Sequence, residues 1–337
     1  MRVACLGAGY FSVFHHEGWQ RLPGISVVGV ADTDIAKATA TGLPAFGDLD
    51  VMLAAVGADI VDIATPPPSH LAAIRVALKY KPRAIICQKP FCNGLEQARE
   101  AVDLAAAAGV PLIVHENFRF QPWFRTMRAA LDAGLIGVPL QAQFRLRTGD
   151  GQGADAYLAR QPYFRQMPRL LIHETGVHYI DTFRYLFGAP TAVYADLRRC
   201  NQVIAGEDAG YIVFSHAGGM RSVFDGNRLL DHATKNPRLT FGEALVEGTK
   251  GTMRLEGDGR VSLRRFGEQD METLLAPAEY QGFAGDCVFA LQRHVVQALA
   301  GSGSLENEAR DYLDVIVLEE LIYRSADTGQ RLAHDTQ

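Results

Sequence analysis

The sequence predicts an α/β protein of two domains, a doubly wound parallel sheet over residues 1–120 followed by an α/β domain with an antiparallel sheet over 121–337. Three observations carry this. The 337 residues suit about two domains at roughly 150 residues each. Up to residue 119, short apolar runs alternate with alanine-rich helical stretches, which implies a parallel sheet with helices on both faces. Beyond it, several strands follow one another with short turns and little helix, which implies antiparallel pairing.

The order begins with an apolar run at 2–6, broken by Gly7-Ala8-Gly9-Tyr10-Phe11-Ser12, then a helix-compatible stretch to Leu22 and a second run at 25–31 that ends at Asp32. Strand, glycine turn, helix, strand and acid is the opening of a dinucleotide-binding unit. Gly7 allows the tight turn. Gly9 lets a pyrophosphate approach the backbone. Ser12 stands where a third glycine is usual and is small enough for the helix to lie close to the strand. The phosphates would meet the helix N-terminus, with its free N–H groups and positive dipole end.

Further strands are expected at 60–64, 84–87 and 111–115, with helices at 70–79 and 95–108. Ligands bind beyond the carboxyl ends of such strands. That edge comprises the glycine turn, Asp32, Thr65-Pro66-Pro67, Gln88-Lys89-Pro90 and Glu116-Asn117. A helix over 121–134 joins the two domains. A strand at 141–147 leads into a stretch at 148–170 rich in Gly, Pro, Gln and Arg, and a structureless run of that length is usually functional or mobile. A helix is expected at 171–187, then strands at 192–198, 209–216, 220–225, 239–247, 251–256 and 261–266. Helices at 283–300 and 308–326 close the chain.

The totals exclude several classes. A net charge of −5 without a dense Lys/Arg run argues against a nucleic-acid partner. No apolar stretch reaches the roughly 18 residues that span a bilayer, and the apolar start reads as a strand rather than a signal peptide. The five cysteines form no C-x-x-C pair, so neither a disulfide framework nor a zinc site is indicated. The plain expectation is a reduced, cytoplasmic, metal-free protein.

Asp32 lies 23 residues beyond Gly9. A carboxylate there accepts both ribose hydroxyls of an adenosine and repels a 2′-phosphate, and Thr33 rather than Arg follows, so NAD is preferred over NADP. Asp34 fits a helix N-cap. Lys89 ends a buried strand in a stiff Lys-Pro step, and a partly desolvated lysine can serve as acid or base near neutral pH. A surface lysine satisfies the same pattern.

His173-Glu174-Thr175-Gly176-Val177-His178 is not the zinc motif H-E-x-x-H. Its histidines are five apart, about 140° around a helix. Glu174 and His178 are four apart and share a helical face. The carboxylate could orient the imidazole, and Asp181 could bond the other ring nitrogen. A buried structural histidine fits as well as a catalytic one. His15 and His16 read as packing residues close to the coenzyme, His70 as a helix start, and His115 as a strand end at the binding edge.

Taken together, these residues resemble the Gfo/Idh/MocA family (glucose–fructose oxidoreductase, inositol dehydrogenase, rhizopine catabolism). The matching stretches are the Gly7–Ser12 turn, Ala64-Thr65-Pro66-Pro67, Gln88-Lys89-Pro90, Asn117-Phe118-Arg119-Phe120-Gln121-Pro122, Gly176-Val177-His178-Tyr179-Ile180-Asp181 and Ser325-Ala326-Asp327-Thr328-Gly329. The resemblance covers essentially the whole chain. It implies an N-terminal Rossmann domain, an open and mostly antiparallel C-terminal sheet that pairs subunits into a homodimer or homotetramer, and hydride transfer between a nicotinamide and a carbinol carbon of a sugar or polyol. The coenzyme residues it implies are Gly7, Gly9, Tyr10, Phe11, Ser12, Asp32, Thr65, Pro66, Pro67, His70, Gln88, Lys89 and Asn117.

In the family's E-K-P pattern the lysine is catalytic, which maps to Lys89. The later histidine maps to His178, and the site four residues before it to Glu174. Either Lys89 or His178 takes the hydroxyl proton. Two departures stand out: Gln88 replaces Glu, and Glu174 is one methylene longer than the usual Asp. The stretches 145–152 and 157–175 also resemble a bacterial branch of the family that oxidises the branched pentose apiose to its lactone. The expected substrate contacts are Lys89, Asn117, Arg119, Tyr163, Arg165, Glu174 and His178, with Gln161 and Gln166 as further loop donors. Oxidation followed by elimination or isomerisation, and a non-catalytic nucleotide-dependent sensor, are the alternatives.

Overall fold

The computed structural model describes residues 1–335. The chain folds into two compact units, Met1–Asn117 with Asp286–Ile316, and Phe118–Gly285 with the chain from Val317 onward. The sequence predicts a single cut near residue 120; the units change over at Asn117 and Phe118, and a later segment returns to the first unit. The reason is local pairing: Ile113 bridges Glu308, the Val114 N–H donates to the Asn307 carbonyl (2.9 Å), and Asn307 Nδ2 donates to the Glu116 carbonyl (2.5 Å).

The first unit runs β1 (Arg2–Leu6), α1 (Ser12–Arg21), β2 (Ser26–Ala31), α2 (Ile35–Ala40), β3 (Ala45–Phe46), α3 (Leu49–Val56), β4 (Ile60–Ile63), α4 (His70–Lys79), β5 (Ala84–Gln88), α5 (Leu95–Ala108) and β6 (Leu112–His115). Its six strands lie in the order β3-β2-β1-β4-β5-β6, all parallel. The winding reverses between β1 and β4, where sheets of this kind open a crevice at their carboxyl ends. Strands β4, β5 and β6 are buried at every position, so their sequences read as apolar runs, broken by Asp62, Gln88 and His115, rather than as alternating ones. The helices cover them with small residues. Helix α5 buries Ala98, Ala101, Val102 and Ala105, one stripe at helical spacing.

The second unit runs α6 (Pro122–Asp132), β7 (Pro139–Leu146), α7 (Val177–Phe187), β8 (Pro190–Arg198), β9 (Ala209–His216), β10 (Arg221–Asn227), β11 (Gly242–Gly248), β12 (Gly251–Leu255), β13 (Val261–Arg265) and β14 (Glu272–Leu275); α8 (Phe283–Leu299), α9 (Ala309–Thr328) and β15 (Leu332–Ala333) close the chain. Among the described residues, nine strands form one sheet in the order β14-β13-β12-β11-β7-β10-β9-β8-β15. Every pairing is antiparallel except β7 with β10. Strand β10 meets β7 only after the chain has passed through α7, β8 and β9, which is why that pair runs parallel.

Helix α7 lies on one face of this sheet. Tyr179 stacks on Phe144 (4.0 Å) and Phe224 (5.0 Å), and Phe183 meets Phe214 edge-on (5.8 Å). The helix expected over 171–187 is not uniform. Leu171–Gly176 is a π turn, and α-helix begins at Val177. The short strands β3, β14 and β15 were not expected, because runs of two to four residues carry no periodicity.

Candidate active site

The glycine turn behaves as its residues require. Gly7 sits at φ 111°, and a Cβ there would come within 2.5 Å of the Ala64 carbonyl oxygen. Nothing lies within 4 Å of where a Gly9 Cβ would be, so the backbone there is open to a close ligand. Ser12 is buried and donates to the Ala64 carbonyl (3.2 Å), tying α1 to the end of β4. No side chain caps the N-terminus of α1, which leaves its first amides for an anion. Tyr10, half exposed, and Phe11 pack edge-on and tilted against Phe14 (6.2 and 5.4 Å).

Asp32 holds the second side of this turn. Its carboxylate accepts from the Ala8 N–H (2.8 Å) and the Asp34 N–H (2.9 Å), one bond per oxygen, so each oxygen keeps acceptor capacity. Asp34 caps α2 through the Ala36 N–H (3.2 Å). Thr65 and Pro66 lead from β4 into a one-turn 3₁₀ helix, Pro67–Ser69, with the Thr65 and Ser69 hydroxyls 2.6 Å apart.

His70 lies behind this edge rather than on it. Its ring is fully buried, Nε2 donates to the Thr65 carbonyl (2.7 Å), and Nδ1 accepts from the Cys92 N–H (3.3 Å). Burial pushes its pKa down to about 4, only partly offset by the Thr65 carbonyl. Both nitrogens are spent on bracing two loops.

Lys89 stands half-buried at the end of β5, followed by a cis peptide bond to Pro90. Gln88 points into the sheet: its Oε1 accepts the Lys89 N–H (2.7 Å) and its Nε2 faces His15 Nε2 (3.0 Å). Asn117 ends the edge, buried, with no acceptor for its Nδ2 among the described residues. Gly7, Gly9, Ser12, Asp32, Thr65, Pro66, Pro67, Lys89 and Asn117 therefore share one edge of the first unit.

In the second unit His178 is buried at the start of α7 and stacks face to face on Phe118 (3.8 Å, 4°). The π turn changes the environment of Glu174. Its carboxylate accepts from the Thr175 hydroxyl (2.5 Å) and from Arg228 (2.8 Å). Asp181, expected beside the His178 ring, takes a bidentate pair from Arg119 (2.8 and 2.5 Å). Arg119, expected at the sugar, is thereby committed to α7 and also lies over the Tyr185 ring (5.2 Å). His173 pairs with Glu319 (2.6 Å). On the long loop, the side chain of Tyr163 is exposed, with Gln161 donating to its hydroxyl (3.3 Å); Arg165 lies beside it in the 3₁₀ turn Pro162–Gln166.

Two family models match the chain: the oxidoreductase family with an NAD-binding Rossmann fold over residues 1–116, and the Gfo/Idh/MocA C-terminal domain over 124–254. The chain belongs to the Gfo/Idh/MocA oxidoreductase family. It is 35% identical to a D-apiose dehydrogenase of Paraburkholderia graminis over 97% of this chain and 88% of the relative. A D-apiose dehydrogenase of Rhizobium rhizogenes is 31% identical over 98% and 96%. An oxidoreductase from Agrobacterium radiobacter, solved with NAD+, L-tartaric acid and magnesium, superimposes with a TM-score of 0.89 at 28% identity, covering 99% of this chain and 98% of that one.

This Gfo/Idh/MocA member carries an NAD-binding domain, and the open space before Gly9, the uncapped α1 and the Asp32 carboxylate fit that coenzyme. Sequence reading missed Arg228. It is buried at the end of β10, donates to Glu174, Thr175 and Asp150 (3.4 Å to Oδ2), and lies over the rings of Tyr157 (5.8 Å) and Phe164 (5.5 Å). Burial works against its charge, but Asp150, Tyr157 and Glu174 more than restore it and raise its pKa. Its one-dimensional signal was an arginine just after an apolar strand, which is unremarkable. Among the described residues no three or more His, Cys, Asp or Glu side chains are grouped to hold a metal ion. No helix among them is long and apolar enough to cross a membrane.

Proposed function

We propose that this chain is an NAD-dependent sugar dehydrogenase, and that D-apiose or a similar aldose, oxidised to its lactone, is its substrate. The observation that carries the reading is the near full-length similarity to two D-apiose dehydrogenases, joined to a coenzyme edge that carries Lys89. When bound, the nicotinamide accepts the hydride; that chemistry belongs to the coenzyme.

The chain's own residues bind, orient and move a proton. The amides of the Gly7–Ser12 turn and α1 hold the pyrophosphate. Asp32 accepts the ribose hydroxyls, and its charge disfavours a 2′-phosphate, which makes NAD the preferred coenzyme over NADP. Lys89 Nζ or His178 takes the proton from the substrate hydroxyl. Glu174 acts on the substrate side under the hold of Arg228 and Thr175. Asn117, Tyr163 and Arg165 supply further donors to sugar hydroxyls, and Arg119 keeps α7 in place through Asp181.

The test follows NADH absorbance with purified protein against apiose, other pentoses, hexoses, inositols and uronates, each with NAD and with NADP. Apiose oxidation with NAD well ahead of NADP is expected. Tight NAD binding without reduction across the whole panel would overturn the reading in favour of a sensor. Products other than lactones or ketones would move it to oxidation-coupled elimination or isomerisation.

A further inference from the structure

Beneath the coenzyme edge of the first unit lies a buried polar layer. Register puts its members on one face of the parallel sheet. Asp62 on β4 pairs with Ile86 on β5. Gln88 is two residues further along β5, and side chains two apart share a face. Gln88 in turn pairs with His115 on β6. Helix α1 covers this face and sends down His15 and Trp19, one turn apart. Asp62, His15, Trp19 and His115 are each fully buried, and Gln88 is 8% exposed.

Two groups that can only donate, the Lys89 backbone N–H and the Trp19 indole N–H, fix the direction of the bonds that run from Lys89 to Asp62. The Lys89 backbone N–H meets the Gln88 side chain at 2.7 Å, so the atom it meets is the amide oxygen. The other end of that amide is then the NH₂ group, which donates to His15 Nε2 at 3.0 Å. That nitrogen is therefore an acceptor without a proton, and the ring proton sits on Nδ1. Nδ1–H donates to Asp62 Oδ2 at 2.9 Å. The Trp19 indole N–H donates to the same oxygen at 2.6 Å. The His115 ring packs tilted against His15 at 4.0 Å, and Gln292 Nε2 donates to the His15 carbonyl at 3.0 Å.

We propose that Asp62, His15 and Gln88 form a one-way hydrogen-bond chain that fixes the Lys89 amide, making His15 and Asp62 positioning residues that act on Lys89 through Gln88. The inference rests on the reading of Lys89 as a proton carrier. It also explains the glutamine at position 88. A glutamate there has no N–H to give and would face the lone pair of His15 Nε2, unless the ring took up a second proton and stood as a cation between two carboxylates. Glutamine closes the chain with a neutral imidazole and places no second carboxylate beside Lys89.

The test reads the tautomer directly, by two-bond ¹⁵N–¹H correlation spectra of ¹⁵N-histidine protein without coenzyme or sugar, with His15 assigned by its loss in His15→Phe. The expected pattern is a neutral ring protonated on Nδ1. In Gln88→Glu the same ring is expected to become doubly protonated. In Gln88→Met, which keeps the volume and removes both bonds, exchange of the Lys89 amide proton should quicken roughly tenfold, the worth of about one hydrogen bond, and kcat should fall by a similar factor. A His15 ring protonated on Nε2, or already doubly protonated in the unaltered protein, overturns the proposal. So does an unchanged Lys89 amide in Gln88→Met. The tautomer is read without turnover, so failure to oxidise any sugar would sink the dehydrogenase reading while leaving the direction of the chain standing.

Discussion

Lys89 and His70 follow opposite logic, one at the sheet edge and the other behind it. Lys89 leaves the end of β5 half-buried, its amide held by Gln88. A group placed to carry the hydroxyl proton contributes about 10²–10⁴-fold, so Lys89→Ala should lose roughly that much turnover while NAD binding, measured by fluorescence titration, survives; near-normal turnover would remove it from the mechanism. His70 is a brace whose cost appears with acid. Unfolded, its imidazole takes up a proton near pH 6.5, whereas in the fold it resists until about pH 4. Between those values the unfolded chain binds the extra proton, so the stability is complete above the first value and is lost as pH falls toward the second, by roughly 3 kcal/mol at most for one group. His16 and His216 are lowered by burial in the same direction. In His70→Gln the amide can still bond Thr65 and Cys92 but cannot charge, so the drop in thermal midpoint between about pH 7.5 and pH 5 should be smaller than in the parent; an equal drop would refute the assignment. What was legible here was local. Gly7 and Ser12 sit in the glycine turn itself, and Asp34 caps the helix through the N–H two residues on; Asp32 showed as the acid closing the next strand. The partner of Gln88 was not legible, because His15 lies 73 positions away and only the packing of α1 on the sheet brings it near.

At the scale of elements, the helix after the long loop was placed correctly at its far end and misread in its first turn. The i,i+4 spacing of Glu174 and His178 presumes α-helix, whereas Leu171–Gly176 is a π turn and α-helix begins only at Val177. The preceding loop, expected to be functional or mobile, has a small core of its own in Ala156, Tyr157, Phe164, Leu170 and Ile204. Arg228 pins it from below. Its guanidinium joins Asp150 at the start of the loop to Glu174 in the π turn, and Arg160 also pairs with Asp150 (3.1 Å). Removing one partner of a buried ion pair typically costs about 3–5 kcal/mol, because the remaining charge is left uncompensated. Arg228→Met should therefore speed hydrogen exchange across 149–174 while leaving peptides of the parallel sheet unchanged, and Arg228→Lys should fall between, keeping the charge but not the fork. Exchange in that loop unaltered by Arg228→Met would show that the aromatic core alone orders it.

For the whole molecule, the nine-stranded sheet poses the remaining physical question. Its strands were legible because they alternate: in β9, for example, Ile212 and Phe214 are buried while Tyr211 and Ser215 are not. Alternation also says that each strand has a second face, and α7 covers only the one carrying Phe144, Phe214 and Phe224. Register aligns the uncovered side chains across the sheet. Tyr194 pairs with Val213, Val213 with Val223, Val223 with Gln143, Gln143 with Leu245, and Leu245 with Arg254. A row of Tyr, Val, Val and Leu, interrupted by Gln143 and ended by Arg254, with Tyr211 more than half exposed, is a largely apolar stripe, the pattern of surfaces that bury against a partner. A second copy of the chain, stacked sheet to sheet, is the occupant we propose, since an isologous face meets its own complement with every side chain used twice. Light scattering after size exclusion should then give twice or four times the 36.8 kDa chain mass. Val223→Glu, at the centre of the row, should shift it toward the monomer, because a charge would be buried without a counter-charge on both sides of the axis. A parent protein that elutes as a monomer at micromolar concentration would refute the stacking and leave the stripe without its proposed cover.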